Sequence, residues 1–274
     1  MTDTTNTGTY YNEVGNYFDL FAEKHHNKSD NNIILSEMRN SFRTYALHNN
    51  PKNILDIGCG PGMDVVYFAT RFPQATVYGI DVSAKMLECA KELAASQQLS
   101  NTLHINTGIE QLAEQLDVNV KFDIICVFFC SLNTVSSLED AAAIIDERLN
   151  PGGTAVLTFV NKFYLAEFFT NILKLRPGKA LARWGEIWRG YSNDYELASK
   201  TYTPSQVISA FSKTSLQLQK KRGYSIFYPA WFQQNRLKKF PGLCKLLAKM
   251  DNLANKTGLL WGNGEYTLFV YKKP

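Results

Sequence analysis

Apolar runs and amphipathic stretches alternate along the first 160 residues. Five runs are almost continuously apolar: NILDI (53–57), TVYGID (76–81), TLHINT (102–107), FDIICVFF (122–129) and TAVLTFV (154–160). Runs of that kind suit strands covered on both faces. Helical spacing marks the stretches between them: GMDVVYFATRF (62–72), SAKMLECAKELAASQQ (83–98), IEQLAEQL (109–116) and LEDAAAIIDERL (138–149). Pro73 ends the first helix, Ser83 is placed to cap the second, and Asn150-Pro151-Gly152-Gly153 stops the last. This order predicts an α/β fold with a doubly wound, parallel sheet.

The alternation pauses after residue 160. Residues 161–203 read as a helical, aromatic insert without a strand. TPSQVISAFS (203–212) reads as a helix capped by Thr203, with Pro204 in its first position. LQLQKKRGYSIF (216–227) and EYTLFVYKK (265–273) complete a mostly parallel seven-stranded sheet. The opening MTDTTNTGTYY reads as a short polar tail.

Composition narrows the class. No apolar run reaches the ~18 residues of a membrane span, and the N-terminus lacks the charged start and apolar core of a signal peptide. The five cysteines, Cys59, Cys89, Cys126, Cys130 and Cys244, are odd in number and form no CxxC pair. Buried thiols in a reducing cytosol are therefore expected, with no disulfide framework and no metal site. Charge is uneven. Residues 1–159 hold 10 Lys/Arg against 19 Asp/Glu, a balance of −9; residues 160–274 hold 19 against 6, a balance of +13. The C-terminal part is either a solvated basic face or a surface that meets an anion.

The chemistry concentrates in ILDIGCGPG (54–62). In doubly wound sheets, ligands sit beyond the carboxyl ends of the strands, and this loop leaves the first strand there. A dinucleotide loop needs G-x-G-x-x-G. Counted from Gly58 the third glycine falls on Met63, and counted from Gly60 it falls on Val65. The spacing present is G-x-G-x-G, with Asp56 before it. Asp81 ends the second strand, where a carboxylate can accept both hydroxyls of a ribose. No Walker lysine follows the loop. A nucleoside held by Asp81 and a cationic amino group near Asp56 together describe S-adenosylmethionine.

On LDIGCGPG, GIDVSAKMLECAKE, FDIICVFFCSLNTV and LNPGGTAVLTF the chain resembles the class I S-adenosylmethionine-dependent methyltransferases, in their small-molecule branch. The resemblance implies that Gly58, Cys59 and Gly60 line the methionine part. It places Asp81 on the ribose, Val82 and Met86 on adenine, and the backbone of Phe128 on the methionine amino group. Where the family often has an acid for the adenine amino group, this chain has Gly108; Ile109 and Glu110 are the substitutes. YNEVGNYFD (11–19) and MRNSF (38–42) resemble lid helices, with Tyr11 and Tyr17 facing the site and Arg39 pairing with the methionine carboxylate. The expected organisation is a tail and lid over 1–50, a cofactor-binding core over 51–160, a cap over 161–203, and completion of the core over 204–274.

The acceptor is read from what surrounds this core. Nucleic-acid amino methyltransferases of the fold carry Asn/Asp-Pro-Pro-aromatic after the fourth strand; here FFCSLN stands there, with Asn133 a substrate candidate. Nucleic acid is therefore not the expected partner. The insert carries Trp184, Trp188, Tyr191 and Tyr195 beside Arg183 and Arg189, and the two arginines are expected to share a face with the tryptophans. A small, lipophilic or acidic acceptor follows. The amphipathic stretch 228–253 either packs on the sheet or lies on an anionic membrane surface. His25 and His26 are base candidates by chemistry alone, and no catalytic residue is singled out. The rival readings are an RNA or protein methyltransferase docking through its basic half, and a non-catalytic cofactor-binding scaffold of the same fold.

Overall fold

The computed structural model describes residues 4–20, 22, 32–47, 49–129, 131–185, 187–188, 197, 199–228, 230–231, 241–258 and 260–274. Seven strands form one sheet in the order β3-β2-β1-β4-β5-β7-β6. They are β1 Asn53–Ile57, β2 Thr76–Asp81, β3 Thr102–Asn106, β4 Phe122–Val127, β5 Leu149–Val160, β6 Gln217–Tyr224 and β7 Tyr266–Lys272. β1 to β5 pair in parallel, and β7 runs antiparallel between β5 and β6. The order reverses between β1 and β4, which puts the glycine loop at the switch point.

Helices cover both faces: α1 Thr4–Asp19, α2 Ile33–Tyr45, α3 Met63–Arg71, α4 Ala84–Ser96, α5 Leu112–Gln115, α6 Leu138–Arg148, α7 Leu165–Leu173, α8 Pro177–Leu181, α9 Pro204–Phe211 and α10 Pro241–Thr257. Strand residues alternate between two cores. Leu55, Ile125, Leu157 and Phe269 face α6 and α9, where Ile145 and Phe211 pack. Ile54, Ile124, Val156 and Leu268 face α2 and α3, where Phe42 and Phe68 pack. Each such side chain, fully buried, contributes about 1.5–3 kcal/mol of transfer free energy.

The caps follow the sequence. Ser83 accepts from Met86 N, and Thr203 makes a capping box with Gln206. Three expectations change. The opening tail is the start of α1, which runs from Thr4. The helix expected over 109–116 is a 3₁₀ turn, Ile109–Gln111, followed by α5. β5 begins at Leu149 because Leu149 pairs with Phe122 before the ladder resumes at Ile124 and Thr154. The proline and glycines between them are taken up as an irregularity in the ladder, which a residue without an N–H requires.

Candidate functional site

The glycine loop is a series of tight turns. Gly58, Gly60 and Gly62 take positive φ of 66°, 54° and 85°, a region that L side chains enter at a cost. Gly58 N and Cys59 N both donate to Ile80 O, at 2.8 and 3.0 Å, tying the loop to the end of β2. A Cβ on Gly58 would stand 1.9 Å from Ser131 Oγ. A Cβ on Gly60 would meet nothing within 4 Å, so its backbone borders open space. The Cys59 thiol turns inward against Gly79, leaving only its backbone in the loop.

Asp81 closes the loop from the other side. Its Oδ2 accepts from Gly60 N at 2.8 Å and its Oδ1 from Ser83 N at 2.9 Å. Each carboxylate oxygen keeps a second lone pair for a ligand hydroxyl. Burial pushes this carboxyl up to about 6, against the pull of the Ser83 and Gly60 donors. Asp56 lies deeper, 2 % exposed, between Gly79 and Cys126 on the neighbouring strands. Burial, then the Asp64 charge, raise its pKa well above the usual range, and Arg39 opposes them.

Arg39 and Arg43, one turn apart on α2, both pair with Asp64 in the first turn of α3, Arg43 at 2.7 Å. The Arg39 guanidinium also lies 4.6 Å from the Phe129 ring centroid. Arg39 thus anchors the helix behind the glycine loop. Phe128 packs its ring on Phe42, which leaves its backbone at the tip of β4. Phe129 has φ +53°, an unusual conformation for a bulky residue at a strand tip of this kind.

Helix α1 is clasped over the loops after β2 and β3. Gly15 passes so close to Val82 O that a Cβ would stand 2.7 Å away. Tyr17 and Val14 pack with Val82 and with Leu197 of the insert. Asp19 accepts from Ser83 Oγ and, at 3.2 Å, from Lys85 N. Tyr11 donates to Glu110 and its ring fills the space beside Gly108. Glu110 also accepts from Ser136 Oγ at 2.5 Å and Ser137 N at 2.9 Å, clamping the start of α6. Ile109 and Met86 are buried beside these loops.

The other candidates take different places. Asn133 is fully buried, and its amide joins backbone at both ends: Nδ2 donates to Lys200 O at 2.5 Å, and Oδ1 accepts from Val160 N at 3.0 Å. Arg183 is only 6 % exposed, whereas Trp184 is 44 % exposed, so the two do not share a face. Arg183 pairs with Glu167 at 2.5 Å and lies over the rings of Tyr164 and Trp188. Trp184 stacks on Phe168 at 5.2 Å. Arg189, Tyr191, Tyr195, His25 and His26 lie outside the described residues. Among the described residues no group of three or more His, Cys, Asp or Glu is arranged to hold a metal.

Sequence reasoning missed Asp64, Asp19 and Glu265. Asp64 was visible as an acid in the first turn after the glycine loop, facing arginines spaced i, i+4. Glu265 carried no local signal. It precedes β7 at the edge of the sheet where β5 ends, is 3 % exposed, and has Arg183 at 4.0 Å.

Residues 54–153 match the family model described as a methyltransferase domain. That segment spans β1 to β5, with both Asp56 and Asp81 inside it. The match covers 100 of the 274 residues. Among curated proteins, tRNA1(Val) (adenine(37)-N6)-methyltransferase of Porphyromonas gingivalis is 39% identical over 77 residues, covering 27% of this chain and 30% of that protein. Trans-aconitate 2-methyltransferase of Deinococcus radiodurans is 45% identical over 65 residues, covering 24% of each. The chain thus spans under a third of the length of these curated relatives. Among solved structures, the N-methyltransferase NodS of Bradyrhizobium japonicum, in complex with S-adenosyl-L-homocysteine, aligns with TM-score 0.53 and 17% identity over 90% of each chain. The [4+2]-cyclase SpnF aligns with TM-score 0.65 and 17% identity over 96% of each. The chain therefore has the class I fold that its sequence leads one to expect.

Proposed function

We propose that this chain moves the methyl group of S-adenosylmethionine to a small-molecule acceptor. The observation that carries this is the Asp81 carboxylate, fixed by the N–H groups of Gly60 and Ser83 beside a backbone that opens onto free space at Gly60. The residues present fit the cofactor. Asp81 takes the two ribose hydroxyls on its remaining lone pairs, Gly58 and Gly60 admit the methionine part, and the Asp56 carboxyl offers an acceptor to its amino group. Val82, Met86 and Ile109 form the apolar bed for adenine, with Glu110 and Tyr11 at its edge. When bound, the cofactor supplies a methyl already activated by its sulfonium. What the chain must add is an acceptor held in line with the methyl–sulfur bond, and alignment of that kind supplies up to ~7–11 kcal/mol. No general base is required unless the acceptor has a proton to lose.

An acidic or lipophilic acceptor is favoured by the +13 balance of residues 160–274 and by the aromatic insert. Similarity to a protein named for trans-aconitate supports the same reading. The similarity to a tRNA methyltransferase lies within 77 residues, and Phe129-Cys130-Ser131-Leu132 follows β4 in place of the Asn/Asp-Pro-Pro-aromatic of such enzymes. That favours the small-molecule reading over the nucleic-acid one. The test is a screen of small acids, phenols and amines with radiolabelled S-adenosylmethionine, alongside bulk tRNA. Label on a small acceptor supports the reading; label on tRNA alone overturns it. The likeness in fold to SpnF, a [4+2]-cyclase, gives the screen a third outcome: cofactor binding without methyl transfer to any acceptor points to a non-methylating role.

A further inference from the structure

Helix α7 has no buried residue, although Leu165, Phe168, Phe169, Ile172 and Leu173 make five of its nine positions large and apolar. Leu173 is 84% exposed, and Leu175, just beyond the helix, is 89% exposed. Leu175 also has φ +55°. A bulky residue in the left-handed region carries strain, and at Leu175 no burial within the chain offsets it. The apolar surface continues through Leu181, Trp184 and Ile187, all exposed.

Basic side chains interleave with this surface. Lys174 sits between the two leucines, Arg176 follows them, and Lys179 lies on α8. Residues 162–187 hold five Lys/Arg against two acids, Glu167 and Glu186, and Glu167 is paired with the inward-turned Arg183. A second copy of the chain meeting through the same patch would bring like charge against like, and a neutral apolar partner would leave the bases unused. Exposed Leu, Phe and Trp beside Lys and Arg is the composition that seats a helix in the headgroup boundary of an anionic bilayer.

We propose that α7–α8, with Leu173-Lys174-Leu175-Arg176 at its tip, docks the protein on the surface of an anionic lipid bilayer. The leucines enter the headgroup boundary and the bases meet lipid phosphates. The segment leaves the sheet at the C-terminal end of β5, the edge that carries Gly58 and Asp81, so docking brings that edge toward the lipid. No described helix is long and apolar enough to cross a membrane, so contact is confined to the surface. The inference stands on the patch itself and not on methyl transfer.

Co-sedimentation of the full chain with vesicles tests it. Vesicles of equal parts phosphatidylcholine and phosphatidylglycerol should pellet the protein at low salt, release it at high salt, and outcompete phosphatidylcholine alone. Replacing the three bases together, Lys174→Gln, Arg176→Gln and Lys179→Gln, should weaken lipid binding about a hundredfold. Leu173→Ser with Leu175→Ser should weaken it at least about tenfold. Thermal melting of both variants should stay at the wild-type midpoint, since the side chains are exposed. No binding to anionic vesicles, equal binding to phosphatidylcholine alone, or wild-type pelleting by both variants would overturn the proposal. So would a dimer in analytical ultracentrifugation that the leucine variant abolishes, which would assign the patch to a second copy.

Discussion

The ring of Tyr11 occupies the place where a side chain on Gly108 would stand: a Cβ there would meet Tyr11 Cζ at 2.6 Å. Gly108 has φ −83°, so any residue could adopt its backbone, and the glycine is required by the tyrosine alone. Gly108→Ala should therefore push Tyr11 off Glu110 and loosen α1, costing about 1–3 kcal/mol. Tyr11→Ala should recover most of that loss. A double-mutant cycle by thermal melting measures it; additive single effects would mean the two residues do not meet.

The glycines of the first loop should separate into two kinds. Gly58→Ala collides with Ser131 Oγ at 1.9 Å besides straining φ, and should destabilise the protein with or without ligand. Gly60→Ala meets nothing within 4 Å; it should cost only about 1–2 kcal/mol of backbone strain. It should nonetheless weaken cofactor binding more than it lowers stability, because its methyl enters the space in front of the loop. Melting and calorimetric titration of the two variants distinguish these outcomes.

Cofactor binding should depend on pH through Asp81. Its carboxyl takes a proton at about 6, whereas hydrogen bonds from ribose hydroxyls favour the ionised form. Affinity should be level above that value and fall toward about tenfold per pH unit below it. Asp81→Asn should be weaker at neutral pH and lose this dependence. A wild-type affinity constant from pH 7 to 5 would contradict the assignment.

Glu265 and Arg183 should govern stability rather than turnover. Burial holds the Glu265 carboxyl up at about 7, against the attraction of Arg183. A raised carboxyl favours the folded state below its unfolded value, about 4.3, and that contribution is lost as pH rises through about 7. Glu265→Gln should flatten the stability profile across that window, as chemical denaturation at several pH values reads out. Arg183→Gln leaves Glu167 and Glu265 without their cation and should cost about 3–5 kcal/mol. A change in the Michaelis constant alone, with melting unaltered, would place Arg183 on the substrate instead.

The parallel half of the fold was legible because its strands are buried on both faces and its helices carry caps. Ser83 and Thr203 cap as their types require. The loop geometry around Gly58, Gly60 and Asp81 was legible too, since positive φ and a strand-end acid leave marks in residue type. The insert was harder. Arg183 and Trp184 are neighbours in sequence, yet a 3₁₀ turn over Ala182–Trp184 sends one inward and the other out, and sequence spacing does not resolve which. Asn133 reads as a site residue because it follows β4; its pairing with Val160 and Lys200 is tertiary and leaves no mark in the local sequence. The Tyr11–Gly108 contact joins residues 97 positions apart and has no local signal beyond the missing side chain.

Calorimetric titration with S-adenosylhomocysteine tests the central claim most directly, with NAD as the control. Saturable binding of S-adenosylhomocysteine, none of NAD, and a loss of about 1.5–3 kcal/mol in Asp81→Ala are the predicted results. NAD binding more tightly than S-adenosylhomocysteine, or undiminished S-adenosylhomocysteine binding in a folded Asp81→Ala protein, would contradict the account.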